Sequence, residues 1–259
     1  MKSKLLKRLV RRMLSEGLQQ SLRRRYVVRE VFREKDLPEK EAAILPTLLA
    51  MGDHVADVGA NVGNYTKIFS ELVGPEGHVY AFEPILGNYE ILEEVVRKGR
   101  LRNVTHQRAA VGPDSGRCEM VIPDEEGFTG YYTAHVARPG EPGRREEATL
   151  VCLDELWRDK SFPKLDFIKC DVEGEEWGVL QGGVEIIRAQ HPAWLMEVGR
   201  PMSGEVFRFL QGLGYRSFVY DGKLVETESY RDKEYSNYLF IAPWSTVWRR
   251  AFGSSEQKG

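Results

Sequence analysis

Five acids and one glycine-rich turn carry the chemistry open to this chain. The turn is Asp57-Val58-Gly59-Ala60-Asn61-Val62-Gly63, directly after the apolar run that begins at His54. A strand that stops at such a turn before a helix places backbone N–H groups at the carboxyl edge of a sheet, where open α/β folds take their ligands. Gly59 and Gly63 leave room for a ligand to approach the backbone. Asp57 closes the strand and can accept from an ammonium group. Glu83 follows Gly63 by 20 residues, at the end of a second apolar run, where an acid can hold two vicinal ribose hydroxyls. Asp171, Glu173 and Glu197 stand at the ends of two later apolar runs. Carboxylates gathered there raise one another's pKa, which tunes a base toward neutral pH.

The turn discriminates between ligands. A dinucleotide fingerprint is G-x-G-x-x-G, because a pyrophosphate rests on the helix N-terminus. Here Asn61 replaces the second glycine and Asn64 the third. The narrowed loop suits the methionine end of S-adenosylmethionine better than a nicotinamide dinucleotide. A nicotinamide-dependent oxidoreductase is therefore the alternative, and a non-catalytic binding module on the same fold is a third reading. The expected cofactor contacts are Asp57, Gly59, Ala60, Asn61, Gly63, Glu83, Pro84 and Asp171. Tyr65 either joins them or belongs to a helix face turned to the core.

These residues need elements to position them, and the pattern from His54 onward alternates strand and helix, as parallel sheets require. Strands are expected at His54–Val58, His78–Phe82, Val104–Val111, Leu165–Cys170 and Ala193–Val198. Helices are expected at Asn64–Leu72, Tyr89–Lys98, Glu176–Arg188 and Gly204–Leu213. Arg216–Tyr220 and Lys223–Glu226 flank Asp221-Gly222, a strong hairpin signal, and Tyr238–Ala242 is a last strand. Residues 113–148, rich in Pro, Gly, Glu and Arg, break the rhythm and read as an insertion over the active face, with one strand at Glu119–Ile122. The expected organisation is a basic helical extension over residues 1–38, an α/β domain over 39–250 and a disordered tail over 251–259.

Several segments resemble the FkbM family of methyltransferases: the loop Asp57–Thr66, the strand end Phe82-Glu83-Pro84, and Cys152-Leu153-Asp154-Glu155-Leu156. The most specific is Ile168-Lys169-Cys170-Asp171-Val172-Glu173-Gly174-Glu175-Glu176, followed by Val179-Leu180-Gln181-Gly182-Gly183. Asn237–Phe240 resembles the closing strand. The likeness covers about residues 50–245. It implies a class I, Rossmann-like methyltransferase fold, a seven-stranded mixed sheet of order 3-2-1-4-5-7-6 with helices on both faces. It also implies O-methylation of a hydroxyl on a saccharide, glycolipid or secondary metabolite.

Methyl transfer to a hydroxyl requires in-line alignment and removal of a proton. Asp171 can be general base, cofactor contact or metal ligand; cofactor contact with a share in substrate orientation is preferred, with Glu173 or Glu197 as the base. Glu173 reads equally as an acid complementing a helix N-terminus. No ligand spacing demands a divalent metal, and none is expected. In the insertion, Phe128-Thr129-Gly130-Tyr131-Tyr132-Thr133 can stack a sugar face or form a lid, or simply pack on the body. Tyr131, Tyr132 and His135 are the candidate acceptor contacts. Family members usually carry small residues here, so the acceptor does not transfer directly.

Of the 259 residues 42% are hydrophobic, enough for one domain with an appendage. The net charge of −2 argues against nucleic acid as a partner. Residues 1–40 are nonetheless strongly basic, with Leu5, Leu6, Leu9, Met13 and Leu14 at helical spacing over 3–25. This arm either lies on an anionic membrane surface beside a lipid-linked acceptor or caps the core, or it forms a homodimer contact. Three scattered cysteines and the lack of a clean apolar N-terminal run point to a cytoplasmic protein.

Overall fold

A computed structural model describes residues 15–33, 39–124, 129–231 and 236–253. Its centre is a set of parallel strands, β3 (Val104–Gln107) half-exposed at the edge, and β1 (His54–Val58), β2 (His78–Phe82), β8 (Phe167–Cys170) and β9 (Ala193–Glu197), apolar runs that bury both faces. Continuous apolar runs of this kind are what a sheet covered on both sides demands. β12 (Asn237–Ile241) pairs antiparallel with β9, and β10 (Arg216–Tyr220) pairs antiparallel with β12. Read from β3, the order is that of the class I methyltransferase sheet, 3-2-1-4-5-7-6. One strand is added to the expected seven: β11 (Leu224–Glu226), the second arm of the Asp221-Gly222 hairpin, extends the edge to make eight.

Strand parity divides the core. Ala56, Val58, Ile168, Cys170, Trp194 and Met196 share one face, which is covered by α6 (Glu176–Gln181), α7 (Val184–Gln190) and α8 (Ser203–Gly212). Val55, Phe167, Leu195 and Leu239 share the other. It is covered by α2 (Leu45–Leu48), α3 (Asn64–Val73) and α9 (Thr246–Phe252). α4 (Leu86–Gly99) follows β2. α1 (Glu16–Arg33) lies against it, burying Val28 and Val31 with Val62, Ile91 and Val95.

Four expectations change. The single strand over 104–111 breaks at Arg108, and β4 (Ala109–Val111) leaves for a second, four-stranded sheet. That sheet holds β5 (Gly116–Ile122), β6 (His135–Val136) and β7 (Arg144–Val151), so the insertion is ordered β structure with its own small core around Ile85, Met120, Ile122 and Ala148. The helix over 176–188 is two helices: a Cβ on Gly182 would sit 2.0 Å from the Gly112 carbonyl oxygen. α7 then restarts on the carboxylate of Asp154, in α5 (Leu153–Arg158), which accepts from Glu185 and Ile186 N–H at 2.9 Å each. Finally, α9 reaches Phe252, whose ring packs on Trp248 and Phe218, so 251 and 252 are not tail. The expected apolar positions Leu5–Leu14, the extension boundary at 38 and the tail over 254–259 lie outside the described residues.

α9 is held by Arg250, which donates to the Leu48 carbonyl at 3.0 Å and to both carboxylate oxygens of Asp53, the longer contact at 3.0 Å. Asp53 is buried and also accepts from Ala50 N–H. Removing one member of a buried pair strands the other. Asp53→Ala is expected to cost about 3 kcal/mol and to lower the melting temperature by roughly 6–12 °C, measured by calorimetry.

Candidate active site

The site begins with a register. Asp57 on β1 stands opposite Lys169 on β8, and both side chains point to the α3 face. Asp57 is fully buried; its Oδ2 accepts from Thr66 Oγ1 at 2.5 Å, and its Oδ1 has no partner among the described residues. Lys169, 5% exposed, donates to Asp171 Oδ2 at 3.0 Å and lies 4.7 Å from the centre of the Tyr65 ring. Burial pushes the Asp57 carboxyl up, against the opposing pull of Lys169. Asp57 therefore supports the loop from beneath and does not line the cleft. Tyr65 likewise packs inward, 5.6 Å from Phe69, the core reading of the two. Lys169 was not singled out from the sequence, although a charge inside a central parallel strand is itself a signal.

Above this pair the loop turns. Gly59 (φ 77°) and Ala60 donate to the Phe82 carbonyl at 3.0 and 2.9 Å, and Gly63 (φ 90°) starts α3. A Cβ on Gly59 would lie 1.8 Å from the Asp171 carbonyl oxygen, so glycine is required by the approach of the β8 end. Asn61 takes the left-handed conformation (φ 51°), which asparagine tolerates. Its N–H donates to Glu83 Oε2 at 2.8 Å; Ile85 N–H donates to Oε1 at 2.9 Å. Burial nevertheless raises Glu83 to about 7. The Asn61 Oδ1 is buried without a partner among the described residues.

Gly59, Asn61, Glu83, Pro84 and Asp171 line one cleft. Ala60 packs beneath with Ala81 and Leu92. Ile85, Ala109 and Val111 give the cleft an apolar side, Tyr131 and Tyr132 an aromatic one, and Glu173 the rim. Asn88, also on the wall, is a site residue that no motif flagged. His135 is not on the wall: its Nδ1 meets the Thr133 carbonyl and its Nε2 meets Glu141, both at 2.8 Å. Phe128 lies outside the described residues.

Asp171, Glu173 and Glu197 do converge. Glu197 lies well above the usual carboxylate range, through burial first, then the charges of Asp171 and Glu173 and a hydrogen bond shared with Asp171. Glu173, in a left-handed turn (φ 54°), is raised to about 7 by burial, then by Asp171 and Glu176. Its side chain is open at the rim, so solvent screens part of that effect. Among the described residues no group of His, Cys, Asp and Glu forms a metal site, and no helix is long and apolar enough to cross a membrane.

Residues 57–217 match the methyltransferase FkbM domain. The chain belongs to the FkbM methyltransferase family. The match spans every residue that lines the cleft. Among relatives, the 31-O-demethyl-FK506 methyltransferase FkbM of Streptomyces tacrolimicus is 26% identical over 182 residues, 61% of this chain and 67% of its own. A protein-L-isoaspartate O-methyltransferase of Ignicoccus hospitalis is 42% identical over only 57 residues, 22% of this chain and 27% of its own. In structure, the methyltransferase FkbM of Methylobacillus flagellatus superposes with a TM-score of 0.50 at 17% identity, over 73% of this chain. This chain spans only 43% of that protein, and the likeness confirms the class I fold.

In this FkbM-family sheet the Asp57–Lys169–Asp171 arrangement is a buried charge group that tolerates no missing member. Lys169→Met is expected to cost about 3–5 kcal/mol. Burial already holds Asp57 above its ordinary 3.8, and losing the cation raises it further. A raised acid is penalised when ionised, so the deficit is smallest near pH 4 and widens as pH rises. Thermal melts of the variant and parent across pH 4–8 check this.

Proposed function

We propose that this chain is an S-adenosylmethionine-dependent O-methyltransferase acting on a hydroxyl of a saccharide, glycolipid or secondary metabolite. The observation that carries the reading is the pairing, across one cleft, of buried acceptors with a cluster of elevated carboxylates. Glu83 accepts from two backbone donors and from Asn88, and a carboxylate with about four acceptor sites still has room for a ribose hydroxyl. Asn61 Oδ1 is an acceptor still to be satisfied. Ile85, Ala109 and Val111 offer a flat apolar side for a base. The acidic surroundings suit a cationic ligand. When bound, the cofactor supplies an electrophilic sulfonium methyl group.

The residues of the chain then have distinct tasks. Asp171, anchored by Lys169, orients the reacting groups. Glu173 at the rim accepts the hydroxyl proton of the acceptor; burial, then the neighbouring negative charges, raise its basicity to where a base works near neutral pH. Glu197 shares a proton with Asp171 and keeps that charge in place. Tyr131 and Tyr132 face the acceptor side, where rings stack on sugars and other flat groups. The name of the Streptomyces relative records an oxygen acceptor, which supports oxygen here.

Binding tests the cofactor side. Titration calorimetry with S-adenosylhomocysteine should show affinity weakening as pH falls below about 7, because hydroxyl donors need the ionised Glu83. Glu83→Gln should lose that pH dependence and bind about 10–100-fold more weakly. No binding by the parent protein at millimolar ligand would end the assignment. On the acceptor side, methyl transfer to a panel of sugars should rise with pH through about 7, as a base that must be ionised requires. Glu173→Gln should lower kcat by roughly 10²–10⁴.

A further inference from the structure

We propose that α1, which lies outside the matched family region, is a working part of the site, with Arg23 as a positioning residue that sets Glu83 and the Tyr131 wall through Asn88. This rests on the cofactor reading above. Arg23 is 3% exposed, whereas its neighbours Arg24 and Arg25 are exposed. Docking α1 needs only Val28 and Val31, which already meet Val62, Ile91 and Val95. A buried guanidinium is costly to desolvate, and its partners show what it holds.

Arg23 Nη1 donates to the Gly87 carbonyl at 2.9 Å and Nη2 to Asn88 Oδ1 at 2.6 Å. That contact fixes the rotation of the Asn88 amide, so its Nδ2 donates to the Tyr131 carbonyl at 2.7 Å. The same side chain faces Glu83 and favours its ionised form. The guanidinium also stacks 4.2 Å from the centre of the Tyr131 ring, a favourable cation–π distance. One turn earlier on α1, Gln20 Nε2 donates to Tyr131 Oη at 2.5 Å. From its opposite end the ring meets Arg144 at 5.5 Å. Thus one side chain from α1 reaches both the acid that takes the ribose and the ring that walls the acceptor side. The charged groups acting on Glu83 are Asp57 on β1, which opposes its ionisation, and Arg23, which favours it.

The test uses the full chain and four proteins: parent, Arg23→Ala, Arg23→Lys, and Arg24→Ala as a surface control. S-adenosylhomocysteine affinity is measured from pH 5.5 to 8.5, beside the melting temperature and the Glu83 titration followed by carboxyl carbon NMR, assigned with Glu83→Gln. Arg23→Ala is expected to weaken binding about tenfold and to move the Glu83 midpoint upward. Arg23→Lys, which keeps the charge but loses the planar fork, should weaken binding while holding most of the midpoint. Arg24→Ala should match the parent. Parent-like affinity and midpoint in the Arg23 variants, whatever their melting temperature, would reduce α1 to a structural cap and overturn the proposal. If Arg23→Ala does not fold, Arg23→Lys decides on the same two readouts. If the parent binds no S-adenosylhomocysteine, the cofactor reading falls. The Glu83 midpoint still decides the Arg23 linkage: an unchanged midpoint overturns it and an upward shift upholds it.

Discussion

The site depends on one buried cation, Lys169, which stands opposite Asp57 in the register of the two central strands and forms its ion pair with Asp171. Ion pairs inside a sheet are poor stabilisers compared with apolar residues of the same size, because desolvation takes back most of the attraction. What this one does is geometric. Lys169 reaches forward to Asp171, so the end of β8 is tied to the end of β1. Thr66 reaches back from α3 to Asp57, so the helix after the loop is tied to the same point. The close passage of Gly59 against the Asp171 carbonyl is the backbone counterpart of that tie. Loop, helix and catalytic strand are thereby one rigid unit, which is what a methyl-transfer site needs when misplacement of an ångström costs orders of magnitude in rate.

Charge in the cleft has a consistent sense. Glu83, Asp171 and Glu173 line it, Glu197 stands behind them beside Asp171, and Lys169 is sunk beneath the loop and committed to Asp171. A pyrophosphate would meet carboxylates, and Asn61 N–H is already spent on Glu83. A ligand bearing a sulfonium and an ammonium meets the opposite situation. Burial first, and this crowding second, raise Glu173 and Glu197, and a base near neutrality is the use of it.

The elements legible in the sequence were those fixed by local chemistry. The Asp57–Gly63 turn, the Asp221-Gly222 hairpin and the apolar central strands each carry their signal within a few residues, and each stands where it was expected. The second sheet was hidden because its longest strand begins Arg144-Arg145-Glu146-Glu147. In isolation those charges read as loop. In the fold they pair across to the neighbouring strand, as Arg145 does with Glu119 and Arg117 with Glu147. Gly182 misled for a related reason: a glycine tolerated within one helix is, here, the point where the Gly112 loop passes between two. Convergence of Asp171, Glu173 and Glu197 followed from sheet topology and was readable. The inward turn of Asp57 followed from strand parity and was also available, since Val55 and Asp57 must share a face.

Asn88 and Arg23 were not readable, and the reason bears on how such sites vary. Both act through distant contacts, over separations of 65 residues from Arg23 to Asn88 and 43 from Asn88 to Tyr131, which no local motif encodes. The cofactor half of the cleft is built by matched family elements, whose geometry is constrained by a fixed ligand. Beside it Tyr131 and Tyr132 of the inserted segment wall the cleft, and α1 packs behind the Tyr131 ring. A guanidinium stacked on Tyr131 links the two halves, because the Asn88 that orders the ring also faces the ribose-side acid. Variation in the extension therefore reaches the cleft only through Asn88 and Tyr131, and the basic helix that looked like an appendage supports the wall from behind.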